Sequence, residues 1–193
     1  MRVRFDRDHL TPTPWRNGGG LTREIVRVPA DSRMDDFGWR VSIAELSAGG
    51  AFSTFEGVDR VIVLLNGAGV HLSSSDGAVN HALDAPLAPF AFAGESVISA
   101  SLIGGMSSDF NVMTRRGAAK ADVRVLRAIE RLETSRAGVL FAARGAWSVR
   151  SGDAVYSLPE NAGIWWDGEW VTFDLVPDGP GAALISVRVE LAH

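Results

Sequence analysis

The densest run of side chains capable of chemistry is Trp15, Arg16, Asn17, Gly18, Gly19, Gly20, Leu21, Thr22, Arg23, Glu24. Trp15 offers a flat apolar face, Arg16 a fixed set of donors, and Asn17 both a donor and an acceptor. Three consecutive glycines are conformationally unfavourable unless the backbone must turn sharply or approach another group closely. Two readings stand: a pocket wall with Asn17 and Glu24 as polar anchors, or a rim loop in which Trp15 packs a barrel end and Arg16 pairs at the surface. The run lacks the Gly-Lys-Ser/Thr ending of a phosphate-binding loop, and its glycine spacing is wrong for a dinucleotide fingerprint.

Two further segments carry polar groups on one face of an extended chain. Across 39–46 a period of two places Trp39, Val41, Ile43 and Glu45 on one side and Arg40, Ser42, Ala44 and Leu46 on the other. Arg40 and Ser42 then point together, toward a polar cavity or toward solvent. Across 109–116 the same rule aligns Asn111, Met113 and Arg115, an amide, a thioether and a guanidinium, which suits a small ligand with a carboxylate and an apolar part. Asp59 and Arg60 sit side by side before an apolar run, positioned to orient one another or to mark an exposed strand start. A guanidinium grips carboxylate oxygens through paired N–H donors, so Arg40 and Arg115 define the expected ligand class.

Other chemistries find less support. His71 and His81 fall inside the β pattern and are placed to meet across a hairpin with Asp76, but a metal would need another ligand in position. No serine lies in Gly-x-Ser-x-Gly, and no pairing of Glu24 with Asp59 as acid and base follows from spacing. Trp165, Trp166 and Trp170 flank Asp167-Gly168 in what reads as an aromatic hairpin, fitted to a lobe interface or a dimer patch. No cofactor motif and no metal site is expected.

The elements that must position these groups are strands. Short apolar or alternating segments separated by Gly, Asp, Asn and Pro recur along the chain, predicting about sixteen strands between residues 23 and 191. One competing element is a short helix in 120–133, although Val123 and Val125 alternate as in a strand. Residues 61–67 (VIVLLNG) echo 139–145 (VLFAARG), each an apolar run ending in glycine, which points to two related lobes. The composition, 46% hydrophobic and 22% charged, is that of a globular protein, and 193 residues suffice for a substantial core. A formal charge of -4 gives no attraction to nucleic acid, and no segment is long and apolar enough for a membrane span. With no cysteine in the chain, thiolate chemistry and disulfides are excluded, and a cytoplasmic address fits.

Five segments in order, PWRNGGGLTREI (14–25), FGWRVSIAEL (37–46), FSTFEGVDRVIVLLNGAG (52–69), PFAFAGE (89–95) and DFNVMTRRG (109–117), resemble the HutD/Ves family. These are small bicupins associated in many bacteria with histidine utilisation. The resemblance implies an all-β, two-lobed bicupin of jelly-roll-like barrels lacking the usual metal-binding histidines, and no His-x-His occurs here. It implies a regulatory or supporting role through binding a small anionic metabolite such as N-formylglutamate or urocanate. Residues 1–117 are expected to form an N-terminal lobe and 118–193 a C-terminal one, with strand exchange between them compatible with the pattern. On this reading Arg40 and Arg115 grip the anion, Asn17, Ser42 and Asn111 sort the remaining polar atoms, and Trp39 or Met113 covers the apolar portion, with Trp15, Glu24 and Arg60 as further ligand-binding candidates. A cofactor-free enzyme acting on a related acid and a protein-interaction module are the alternatives. Doubly apolar strands fit a homodimer as well as lobe packing.

Overall fold

The computed structural model describes residues 1–192, which form β-structure throughout apart from one short 3-10 turn at Arg7–His9. The strands are β1 (Arg2–Asp6), β2 (Pro12–Pro14), β3 (Gly20–Val28), β4 (Trp39–Leu46), β5 (Gly50–Ala51), β6 (Val58–Asn66), β7 (Val70–Ser74), β8 (Asn80–Leu83) and β9 (Pro89–Ala93). They continue as β10 (Ile98–Leu102), β11 (Ser107–Arg115), β12 (Ala119–Leu126), β13 (Glu130–Arg144), β14 (Trp147–Ser151), β15 (Ala154–Leu158), β16 (Ala162–Pro177) and β17 (Ala183–Leu191). Among the described residues no helix is long and apolar enough to cross a membrane.

Residues 11–119 form one compact unit. It contains a six-stranded sheet in the order β2-β3-β4-β11-β6-β9 and a four-stranded sheet in the order β5-β10-β7-β8, all pairs antiparallel. Leu46, Ile62 and Leu64 from the larger sheet pack with Leu72 and Ile98 from the smaller, closing one end of the barrel with apolar side chains. Each such residue contributes roughly 1.5–3 kcal/mol by leaving water. That term offsets the burial of polar groups elsewhere on the same sheet.

Residues 1–10 and 120–192 form the second unit. Its sheet runs β12-β17-β13-β16-β14-β15, with β1 pairing antiparallel to β16 from Arg2 opposite Trp166 to Asp6 opposite Ala162. The first ten residues therefore go with the C-terminal lobe, unlike the boundary expected at 117/118. β1, with charged and apolar side chains alternating, completes the edge of β16, and Gly163 leaves room for the Phe5 ring, which a side chain at 163 would strike at 2.3 Å.

The echo between 61–67 and 139–145 has a structural counterpart. β6 and β13 are each interior strands of a sheet, each ends near a glycine with positive φ (Gly67 at 93°, Gly145 at 61°), and each is followed by a hairpin, β7–β8 or β14–β15. In both lobes the last strand, β11 or β17, returns beside that central one. The arrangement is a bicupin.

The 120–133 segment is strand, as the alternation of Val123 and Val125 indicates: β12 and the start of β13 occupy it, and the competing helix is not formed. One local expectation changes. Trp165, Trp166 and Trp170 do not flank a hairpin. They lie along one strand, β16, whose pairing with β13 slips between Ala137 opposite Asp167 and Ser135 opposite Val171, with Gly168 at a φ of 78°. Extra residues on one strand of a pair form a bulge, which bends the strand without reversing it. Trp166 is consequently buried against Phe173, and Trp170 is exposed.

Candidate functional site

The inner face of the larger sheet in the 11–119 lobe is read off its register. Arg40 on β4 lies opposite Met113 on β11, which lies opposite Arg60 on β6, which lies opposite Phe92 on β9. One row further along, Glu24, Ser42, Asn111 and Ile62 are aligned, and beyond them Thr22, Ala44, Asp109 and Leu64. Because side chains two residues apart share a face, Arg40-Ser42-Ala44 and Asp109-Asn111-Met113 look into the same space. That space is a cavity of about 460 Å³, lined also by Trp15, Arg16, Asn17, Thr22, Met34, Phe52, Ser53 and Phe55. The apolar end of the barrel begins where Ile62 and Leu64 replace Arg60 along β6.

The Gly-rich segment is the turn between β2 and β3. Asn17 Oδ1 accepts from the Gly19 amide at 3.0 Å, the Trp15 amide donates to the Gly20 carbonyl at 2.9 Å, and Gly18 adopts a φ of 71°. A side chain at Gly20 would lie 2.3 Å from the Glu45 carbonyl oxygen and 3.2 Å from the Trp15 ring. Glycine there lets the indole lie over the strand, and its Nε1 donates to Thr22 Oγ1 at 2.8 Å.

The two arginines on the sheet wall of the chamber are held differently. Arg40 Nε donates to Glu24 Oε2 at 2.6 Å, and its Nη1 reaches Ser42 Oγ at 3.3 Å and Met113 Sδ at 3.7 Å. Arg60 is 7% exposed and donates through Nη2 to Asn111 Oδ1 at 3.4 Å, while its buried Nε has no hydrogen-bond partner. Its guanidinium lies over Phe92 at 4.9 Å, Phe52 at 5.3 Å and Phe55 at 5.7 Å. Ring faces attract a cation while leaving its donors unused. Burial lowers the Arg60 pKa to about 10, with Arg40 adding to the fall and Asp109 opposing it. Asp109, 4% exposed, moves the other way: burial raises its carboxyl to about 7 although Arg60 pulls it down. The chamber therefore presents an under-satisfied cation, a compensated cation and a carboxyl poised between its two states.

The sequence model of the HutD family matches residues 7–185. The chain belongs to the HutD family. Over 100% of both chains it is similar to HutD from Pseudomonas fluorescens SBW25, at 28% identity and a TM-score of 0.84. It is also similar to a conserved protein of unknown function from Pseudomonas aeruginosa PAO1, at 28% identity and a TM-score of 0.85 over 98% of this chain and 99% of that one. The oxalate decarboxylase of Lactobacillus farciminis shares the fold alone, at 9% identity and a TM-score of 0.64 over 98% of this chain and 86% of that one.

In this HutD-family chain the structure brings Trp15, Asn17, Arg40, Ser42, Arg60, Asn111 and Met113 to one cavity. Three other candidates lie elsewhere. Trp39 is 1% exposed on the face of β4 opposite Arg40, as regular alternation along β4 requires; the register shift of the β3–β4 pair falls on β3, between Glu24 and Val26. Glu24 does not line the cavity but holds Arg40 from its edge. Arg115 donates to the carbonyls of Asp35 at 2.6 Å, Phe37 at 2.9 Å and Glu56 at 3.3 Å, so its fork ties two loops together and borders a separate recess with Met34 and Phe55. Neither do His71 and His81 meet: opposite Ala82 and Leu72 respectively, they take opposite faces of the β7–β8 hairpin, His71 bonding Asn80 and His81 stacking on Phe90.

Sequence reasoning missed Asp109, Phe52 and the phenylalanine cage of Arg60. The signal for Asp109 was present, because the alternation that joins Asn111 to Met113 also reaches back to position 109. The cage was not legible, since Phe92 on β9 meets Phe52 and Phe55, from the loop before β6, only once the strands have paired.

Proposed function

We propose that the 11–119 lobe binds a small anionic metabolite without turning it over, in a regulatory or supporting role in histidine utilisation, the process with which the HutD family is associated. The observation that carries this reading is Arg60: a buried guanidinium with an unpartnered Nε, caged by rings, at the wall of a cavity of metabolite size. A desolvated cation with spare donors is unfavourable until an anion supplies acceptors. Arg40 and Arg60 would take the carboxylate, Asn17, Ser42 and Asn111 the remaining polar atoms, and Trp15 and Met113 the apolar portion. N-formylglutamate and urocanate are the acids proposed, and the cytoplasm is the proposed location.

Calorimetric titration with N-formylglutamate, urocanate, histidine and glutamate tests the reading. Saturable binding of one acid, weakened at least tenfold in Arg60→Met, supports it; no binding by folded protein removes it. Asp109 favours one second reading, cofactor-free acid–base chemistry on a related small carboxylic acid. New product on prolonged incubation with the same acids, lost in Asp109→Asn, marks that case.

A further inference from the structure

Among the described residues Asp109 is the one carboxyl lining the chamber, and it shares that chamber with the cation that a bound anion must use. It projects from the middle of the larger sheet, between Ala44 and Leu64, neighbours that supply no hydrogen bond from their side chains. Ionised, Asp109 offsets the charge of Arg60 from within. Neutral, it leaves that charge to an incoming ligand and presents an O–H where a carboxylate oxygen would otherwise repel.

We propose that Asp109 is the proton-bearing partner of the chamber: it enters the complex as a neutral acid, donates toward the bound carboxylate, and so couples anion binding to the uptake of one proton from solvent. The inference rests on the anion-binding reading above and adds its specificity and its regulation by pH.

The other charged groups around the chamber are few enough to separate. β6 contributes Arg60, β4 contributes Arg40, β3 contributes Glu24 at the edge, and the Gly-rich turn contributes Arg16. Arg23 and Glu45 pair with each other on the opposite face of β3 and β4. From the smaller sheet, His81 is separated from Arg60 by the stacked rings of Phe90 and Phe92, and His71, on the other face of its hairpin, bonds Asn80. Arg60, with its pKa near 10, keeps its charge through the range in which Asp109, near 7, changes state.

The test is titration of the full chain with N-formylglutamate and urocanate between pH 6.5 and 8.5, in two buffers of different ionisation enthalpy, which counts the protons exchanged. Both ligands keep their carboxylates ionised throughout. The expected result is uptake of about one proton per ligand at pH 8.5 and a roughly 25-fold weaker affinity there than at pH 6.5. Asp109→Asn should bind with no such pH dependence, more tightly than the native chain at pH 8.5, and His81→Gln should behave as the native chain. Binding with no proton uptake, or an unchanged pH dependence in Asp109→Asn, overturns the inference while leaving the anion-binding reading intact. Failure of both acids to bind either chain at any of these pH values removes both.

Discussion

Arg40 and Arg60 flank a single residue, Met113, in adjacent strands, yet only one of them is matched by a carboxylate within hydrogen-bond distance. Glu24 holds Arg40, whereas Arg60 rests on phenylalanine rings and an amide oxygen. Removing the two charges should therefore have unlike consequences. Arg60→Met takes away a buried, incompletely satisfied cation, so the melting temperature should hold or rise while anion affinity falls at least tenfold. Arg40→Met leaves Glu24, partly exposed, with Arg27 as its remaining partner, so it should lower stability by no more than about 1 kcal/mol while weakening binding. Denaturant melts and titrations of the two variants, run side by side, check the contrast.

Asp109 makes stability depend on pH in a direction opposite to most carboxylates. Its folded pKa, about 7, lies above the ordinary value of 3.8, so between those values the folded chain binds a proton that the unfolded chain has lost. With fewer protons on the unfolded state, stability falls as pH rises. The contribution is fully present below about pH 4, declines by about 1.4 kcal/mol per unit toward pH 7, and is flat above it. Asp109→Asn should abolish this slope, leaving the variant more stable than the native chain at pH 8 by a few kcal/mol. Urea denaturation at pH 5, 6.5 and 8 measures it, and parallel curves for the two chains would sink the assignment.

How much of this was legible beforehand follows from the range of the interactions. The strands and the inward face of β4 and β11 come from alternation, a local property, so Arg40, Ser42, Asn111 and Met113 were found together. Arg115 obeys the same alternation but stands at the end of β11, where the sheet no longer sets its surroundings and three loop carbonyls capture it. The pairing of β1 with β16, more than 150 positions away, leaves no trace in a local pattern, so exchange of a strand between lobes is an open expectation of the sequence while the strand that crosses is not legible in it. Trp166 and Trp170 were grouped because Asp167-Gly168 signals a turn; a bulge uses the same glycine conformation.

The reassignment of Arg115 has a measurable consequence. Its guanidinium holds the loops that carry Met34 and Phe55, two side chains of the cavity wall, and it makes no direct contribution to the chamber. Arg115→Ala should cost about 1–3 kcal/mol of stability through lost bonds to carbonyls, while anion affinity changes only a few-fold. A loss of affinity as large as that of Arg60→Met, with stability unchanged, would restore Arg115 to the ligand.

The two tryptophans of the β16 bulge should separate just as cleanly. Trp166 is fully buried, edge-on to Phe173 at 5.0 Å, with its Nε1 donating to the Ser135 carbonyl at 3.3 Å. Gly138 beneath it has no side chain, and one there would meet the indole at 2.6 Å, so ring and glycine fit only as a pair. Trp166→Ala empties that space and should destabilise the chain by about 3–5 kcal/mol. Trp170, 68% exposed on the same strand, should tolerate Ala within about 0.5 kcal/mol. Chemical denaturation of the two variants gives both numbers, and equal losses would mean that Asp167-Gly168 reverses the chain after all, placing both rings on one hairpin surface.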